Sequence, residues 1–226
     1  MEADESEKIP ILFEDGYVLV INKPSGLLSE GAEPSVETWA QKRAKSEPSA
    51  HRRNAILMHR LDKPASGIMV IAKTVMAAKN IQQQMLNNQF TKKYNCIVMG
   101  DANHLKGTIE HYLVKDALSK KSILATPKDK GAKKAVLRID RVHFNKLHNW
   151  SLIEITLITG RYHQIRFQLS ELGHPVCGDG LYASQIWKDY KEIALHAAEI
   201  GLIHPKTLEK LEFSCAPTGA VWSVFT

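Results

Sequence analysis

Residues 11–22 read Ile-Leu-Phe-Glu-Asp-Gly-Tyr-Val-Leu-Val-Ile-Asn. Two apolar, β-branched runs, Ile11 to Glu14 and Tyr17 to Asn22, flank Asp15-Gly16, a pair suited to a tight hairpin turn. This predicts antiparallel pairing near the start, and strand-like segments recur along the chain. They are Ile68 to Ala72, Tyr94 to Met99, His111 to Val114, Ala135 to Phe144 and Trp150 to Ile158, with Ala55 to Met58 as a short apolar piece. Ile193 to Ile203 and Leu211 to Cys215 form a last pair across Pro205-Lys206-Thr207. Helical spacing is rarer. Val36 to Lys45 is one candidate, and Val75 to about Asn88, capped by Thr74, is a second. Tyr162 to Leu172 is a third, closed by Gly173 as a left-handed residue and by Pro175. The lysine-rich sections between the middle strands read as loops. Strands outnumber helices and several are hairpin-connected. The expected fold class is therefore α+β, a single domain over residues 9–226 with a large mixed, mainly antiparallel sheet flanked by helices. Residues 1–8 read as a disordered acidic tail.

Apolar residues make up 44% of the 226 and charged residues 24%, an ordinary globular balance. The apolar runs are short against the roughly 20 residues a membrane helix needs, so no span is expected. Four acids and one lysine in the first eight residues are the opposite of a targeting segment, which predicts a cytoplasmic protein. Cys96, Cys177 and Cys215 are odd in number and widely spaced, which predicts free thiols rather than disulfides or a zinc site. Net charge is +6, and Lys106 to Lys146 holds eleven Lys/Arg against four Asp/Glu. Such a surface attracts polyanions, although a merely soluble face has the same composition. Neither phosphate-cradling glycine motif occurs, nor a zinc-deaminase or nucleophile-elbow signature. An enzyme with this sequence works with its own side chains.

Three segments concentrate chemistry. His59-Arg60-Leu61-Asp62-Lys63-Pro64-Ala65-Ser66-Gly67 lies between two apolar segments. It reads either as a carboxylate presented by a loop or as an ordinary turn with a surface ion pair. Thr91-Lys92-Lys93-Tyr94 opens a strand; a ring among cations suits a base with phosphates beside it, while core packing is the commoner use of such a tyrosine. Gly160-Arg161-Tyr162-His163-Gln164-Ile165-Arg166 starts a helix, where anions are favoured and an arginine fork suits carboxylate or phosphate.

In these segments the chain resembles the RluA-type pseudouridine synthases, which modify uridines in ribosomal and transfer RNA. His59 to Gly67 is similar to the family's H-R-L-D, variable pair, S-G motif, with Pro64-Ala65 where that pair more often ends in threonine. Lys92-Lys93-Tyr94 corresponds to K-x-Y, Gly160 to Arg166 to G-R-x-H-Q-I-R, Gly173 to Asp179 to G-H-P-x-x-G-D, and Leu195-His196-Ala197 to L-H-A. The resemblance runs from about Ile11 to the C-terminus. It implies a catalytic domain with a central RNA-binding cleft, an isomerase needing no cofactor and no metal, and RNA as partner. A monomer is the expectation. Asp62 would be the catalytic carboxylate, Tyr94 would lie against the target base, and Arg166 would bridge to Asp62. Arg60 would hold the flipped-out nucleotide, Ile165 would wall the base pocket, and Arg161 and His163 would touch substrate. The family often has a small RNA-binding domain before the catalytic one, so a chain starting in the catalytic domain is expected to choose RNA with that domain's own surface. A catalytically dead RNA-binding module and a hydrolase with an aspartate nucleophile are the rival readings.

Overall fold

The computed structural model describes residues 9–46, 54–183 and 192–225. The acidic tail read at residues 1–8 lies outside them. In chain order come β1 (Ile11–Glu14), β2 (Val18–Lys23), α1 (Val36–Ser46), β3 (Ile56–Leu57), β4 (Ser66–Ala72) and α2 (Val75–Leu86). Then follow β5 (Thr91–Met99), β6 (Gly107–Asp116), β7 (Lys121–Ala125), β8 (Lys133–Asn145) and β9 (Trp150–Leu157). The chain closes with α3 (Gln164–Glu171), β10 (Leu195–Ile203) and β11 (Lys210–Ser214). The fold class is α+β with mainly antiparallel strands, as the hairpin pattern predicts. The chain divides into two compact units, residues 1–91 with 197–216, and residues 92–196 with 217–226.

In the first unit the strands run β1-β2-β4-β10, with β11 beside β10 and β3 beside β4. The predicted hairpin forms: Asp15 Oδ1 accepts the N–H groups of Tyr17 and Val18 at 2.7 Å each, and the carboxylate shapes the turn. β2 and β4 pair antiparallel from Val18↔Ala72 to Lys23↔Gly67. Val18, Val20, Ile68 and Val70 pack with Ala77 and Ile81 of α2 and with Phe90, Ile200 and Leu202. Thr74 caps α2 as predicted, its hydroxyl accepting the Ala77 N–H at 3.0 Å. The helix stops at Leu86 rather than Asn88, because Asn88 turns left-handed at φ 56. Asparagine tolerates that region better than most residues.

In the second unit the order is β5-β9-β8-β6-β7, with every one of these pairings antiparallel. β9 alternates strictly, burying Ser151, Ile153, Ile155 and Leu157, which fixes its register. Lys121–Ala125, within a stretch read as loop, is a strand. It is the end strand of this order, and its Ile123 and Leu124 are exposed, so no buried face marks it in the sequence. α3 begins at Gln164 rather than Tyr162, since His163 is left-handed at φ 47 and cannot continue a right-handed helix. Its end follows the prediction. Gly173 has φ +81, its N–H donates to Ser170 and that of His174 to Leu169, closing the last turn. The three cysteines are free thiols, with Cys96 and Cys177 buried.

Candidate active site

Asp62 sits in the loop that leads into β4, and that loop is tied down on both sides of it. The Ser29 hydroxyl donates to the Leu61 carbonyl at 2.6 Å and accepts the Leu61 N–H at 3.0 Å. The Lys63 carbonyl accepts the Gly26 N–H at 2.9 Å, and the Pro64 carbonyl accepts the Ser25 hydroxyl at 2.6 Å. The Ala65 N–H closes the turn onto the Asp62 carbonyl at 3.1 Å. Beneath lies Lys23, fully buried, whose ammonium donates to the carbonyls of Pro24 (2.8 Å), Leu27 (2.8 Å) and Lys63 (3.2 Å). Burial pulls Lys23 down to about 7, and the Asp62 carboxylate nearby opposes that fall. Asp62 itself is half-buried. A fixed backbone under a part-exposed carboxylate can present that group to a ligand without first ordering the loop.

The other motif residues of this unit have distinct uses. His59 Nε2 accepts the Val70 N–H at 3.2 Å, and its ring meets Phe90 edge-on. Arg60 is exposed and pairs with Glu30. Gly67 has φ +117, and a Cβ there would lie 2.4 Å from the Ala197 backbone N and O. The Ser-Gly pair is therefore required by the close approach of β4 to β10. Sequence reasoning passed over Lys23. Its signal was a lysine ending an otherwise buried apolar strand, just before Pro24-Ser25-Gly26.

In the second unit, Tyr94 is buried on β5 opposite Ile155. The Gln164 side-chain oxygen accepts the Arg161 N–H at 2.9 Å and the Thr159 hydroxyl at 2.8 Å, so a side chain inside α3 holds the turn before it. Arg161 Nε donates to the Lys134 carbonyl at 2.8 Å. The His163 ring stacks on Tyr162 at 3.8 Å, and its Nδ1 lies 3.1 Å from the Tyr182 hydroxyl. Ile165 and Arg166 are both buried.

Arg166 is held by a fork. Its Nε donates to Asp179 Oδ2 and its Nη2 to Asp179 Oδ1, each at 2.7 Å, with Asp179 wholly out of solvent. Asp179 also accepts the Leu181 N–H at 3.0 Å. Asp179 ends the Gly173–Asp179 pattern, which by itself gives it no role; it is a partner of Arg166. The same pattern binds α3 to β5. The Met99 carbonyl lies 2.8 Å from His174 Nδ1, Val176 bridges to Val98, and the Cys177 N–H donates to the Ile97 carbonyl at 2.9 Å.

The structure thus gathers Arg161, His163, Ile165 and Arg166 on one turn and helix of the unit that also carries Tyr94, and places Arg60 and Asp62 in the other unit. Among the described residues no cluster of three His, Cys, Asp or Glu side chains could hold a metal ion. No described helix is long and apolar enough to cross a membrane.

A family model described as RNA pseudouridylate synthase matches residues 17–171. The chain is 34% identical over 216 residues to an uncharacterized RNA pseudouridine synthase of Bacillus subtilis, YlyB, covering 92% of this chain and 69% of that protein. It is 32% identical over 219 residues to the dual-specificity RNA pseudouridine synthase RluA of Pasteurella multocida, covering 92% and 93%. Among solved structures it is similar to human RNA pseudouridylate synthase domain containing 4, with TM-score 0.74 and 25% identity, covering 92% of this chain and 88% of that one.

Proposed function

Because this chain belongs to the RNA pseudouridylate synthase family, among its RluA-type members, we propose that it isomerises specific uridines of ribosomal or transfer RNA with Asp62 as the acting carboxylate. The reaction breaks the bond between uracil nitrogen 1 and the sugar, turns the base, and joins carbon 5 to the same sugar carbon. Carbon 5 loses a proton and nitrogen 1 gains one, so the atoms balance with no oxidant, reductant or transferred group. An ionised carboxylate serves either by attacking the sugar or base or by facing positive charge that develops at the sugar.

The observation that carries this reading is the clamped loop. Leu61 and Lys63 are fixed by Ser29, Gly26 and the Lys23 ammonium, while the Asp62 side chain between them stays half-open. Tyr94 is assigned to the face of the target base, where stacking would offset about 1–3 kcal/mol of the unstacking cost. Ile165 is assigned to the pocket wall, and Arg161 and His163 to the RNA. Arg60, exposed on its flexible stem, is assigned to the extruded state. Arg166, oriented by Asp179, is assigned as charge partner of Asp62. We further assign residues 9–226 to one catalytic domain, acting as a monomer in the cytoplasm.

The test is Asp62→Asn, incubated with total RNA from cells lacking the enzyme, with pseudouridine counted after digestion. Turnover should fall by about a thousandfold or more, as for loss of a catalytic nucleophile, while RNA affinity stays within a few-fold. Near wild-type turnover by the variant would remove Asp62 from its role.

A further inference from the structure

Lys92 is a poorly accommodated cation of the second unit. It is partly buried, and among the described residues it has no hydrogen-bond or ion-pair partner. Its ammonium lies beside the bare α-carbon of Gly160, 3.4 Å from where a side chain would begin. Its charged neighbour is a second cation, Arg161, and burial together with that repulsion lowers the Lys92 pKa. The Arg161 guanidinium is only tethered, through one bond from Nε to the Lys134 carbonyl. The Gln164 side chain is held against the Arg161 N–H through its oxygen, and its buried Nε2 has no acceptor among the described residues.

Two like charges drawn together in partial burial disfavour the empty state of this corner. An anion would relieve both cations. Side chains alternate along a strand, so Lys92 and Tyr94, two apart on β5, share a face of the sheet. The lysine point charge and the guanidinium suit the several oxygens of a phosphate.

We propose that Lys92 and Arg161 form a subsite for one phosphate of the RNA substrate, on the face that carries Tyr94. This subsite rests on the RNA reading above. Exposed lysines elsewhere contribute general attraction, whereas this corner takes a single group in a set place.

The experiment compares wild type, Lys92→Met, Lys92→Arg and, as a control for lost charge, Lys79→Met on α2. A labelled stem-loop RNA with unpaired uridines is titrated at several salt concentrations, melting is followed without RNA, and pseudouridine formation is assayed in parallel. Lys92→Met should bind about tenfold more weakly, and its plot of log affinity against log salt should be shallower by about 0.7–0.9. The same variant should melt about 2–4 °C higher without RNA, because it no longer buries an unpaired charge. Lys92→Arg should keep most of the affinity, and Lys79→Met should match wild type. Wild-type affinity and slope in Lys92→Met would overturn the subsite, as would equal losses in Lys79→Met. Stabilisation by inorganic phosphate that Lys92→Met abolishes, with unchanged RNA binding, would also overturn it as an RNA contact. A wild type that forms no pseudouridine on any RNA class would instead bring down the reading of function, whatever the binding curves show.

Discussion

Lys23 and Lys92 are both withdrawn from water, one in each unit, and they differ in what their ammonium groups meet. Lys23 has three carbonyl acceptors for three N–H donors, from Pro24, Leu27 and Lys63. Lys92 has none among the described residues and faces a second cation. Arg166 sides with Lys23, since Asp179 takes both prongs of its guanidinium. A buried cation with all its donors used is part of the scaffold, because the surroundings have already replaced its water. One whose donors are idle is left for something that arrives later. The contrast also separates the loop under Asp62, which is finished before substrate binds, from the corner at Arg161, which is not.

The comparison can be broken most forcefully at Asp179. Asp179→Ala removes the carboxylate fork from the buried Arg166 guanidinium, and stability should fall by about 3–5 kcal/mol, measured by urea unfolding. A loss below about 1 kcal/mol would show that Arg166 finds water or another partner, and the fork would cease to count as scaffold.

Lys23→Met comes next, with a pH signature. It removes the group that donates to these carbonyls and should cost about 2–3 kcal/mol near pH 9, where the folded side chain is a neutral amine with two N–H donors. Lys23 titrates at about 7 when folded against an ordinary 10.5, so between those values the unfolded chain holds a proton that the folded protein has released. Wild-type stability from this group therefore rises with pH across that window and is least below pH 7. The gap between wild type and Lys23→Met should narrow by about 2 kcal/mol from pH 9 to pH 7. A gap that widens toward acid would mean that the carbonyl cage, not burial, governs this lysine.

The smallest effect on stability is expected at Arg60. Its pair with Glu30 is exposed on both sides, so Arg60→Ala should change stability by less than about 0.5 kcal/mol. Turnover on RNA should still fall several-fold if this arginine works on the substrate. Unchanged turnover would confine it to the surface pair.

Much of this architecture was legible in the residue order. The β1–β2 hairpin announces itself through Asp15-Gly16, whose carboxylate takes two N–H groups of its own turn. The start of α2 and the end of α3 were legible for the same reason, since Thr74 and Gly173 act on groups only a few residues away. β7 was not, because Lys121–Ala125 exposes its apolar residues and has no buried alternation to read. Of the site, the Asp62, Tyr94 and Arg166 segments stood out as motifs. The supports did not: Lys23 reads as an ordinary charged strand end, and Asp179 as one acid among many.

The amino-acid sequence by itself determined the order of strands and helices, their caps and turns, the family and the segments that carry the chemistry. Those features depend on periodicity and on groups close along the chain. Tertiary structure alone decided which cations are satisfied. The Lys63 carbonyl reaches Lys23 across forty residues and Asp179 reaches Arg166 across thirteen, while nothing described reaches Lys92. The energy of a buried charge depends on the atoms packed around it in space, and no local pattern of residues records them.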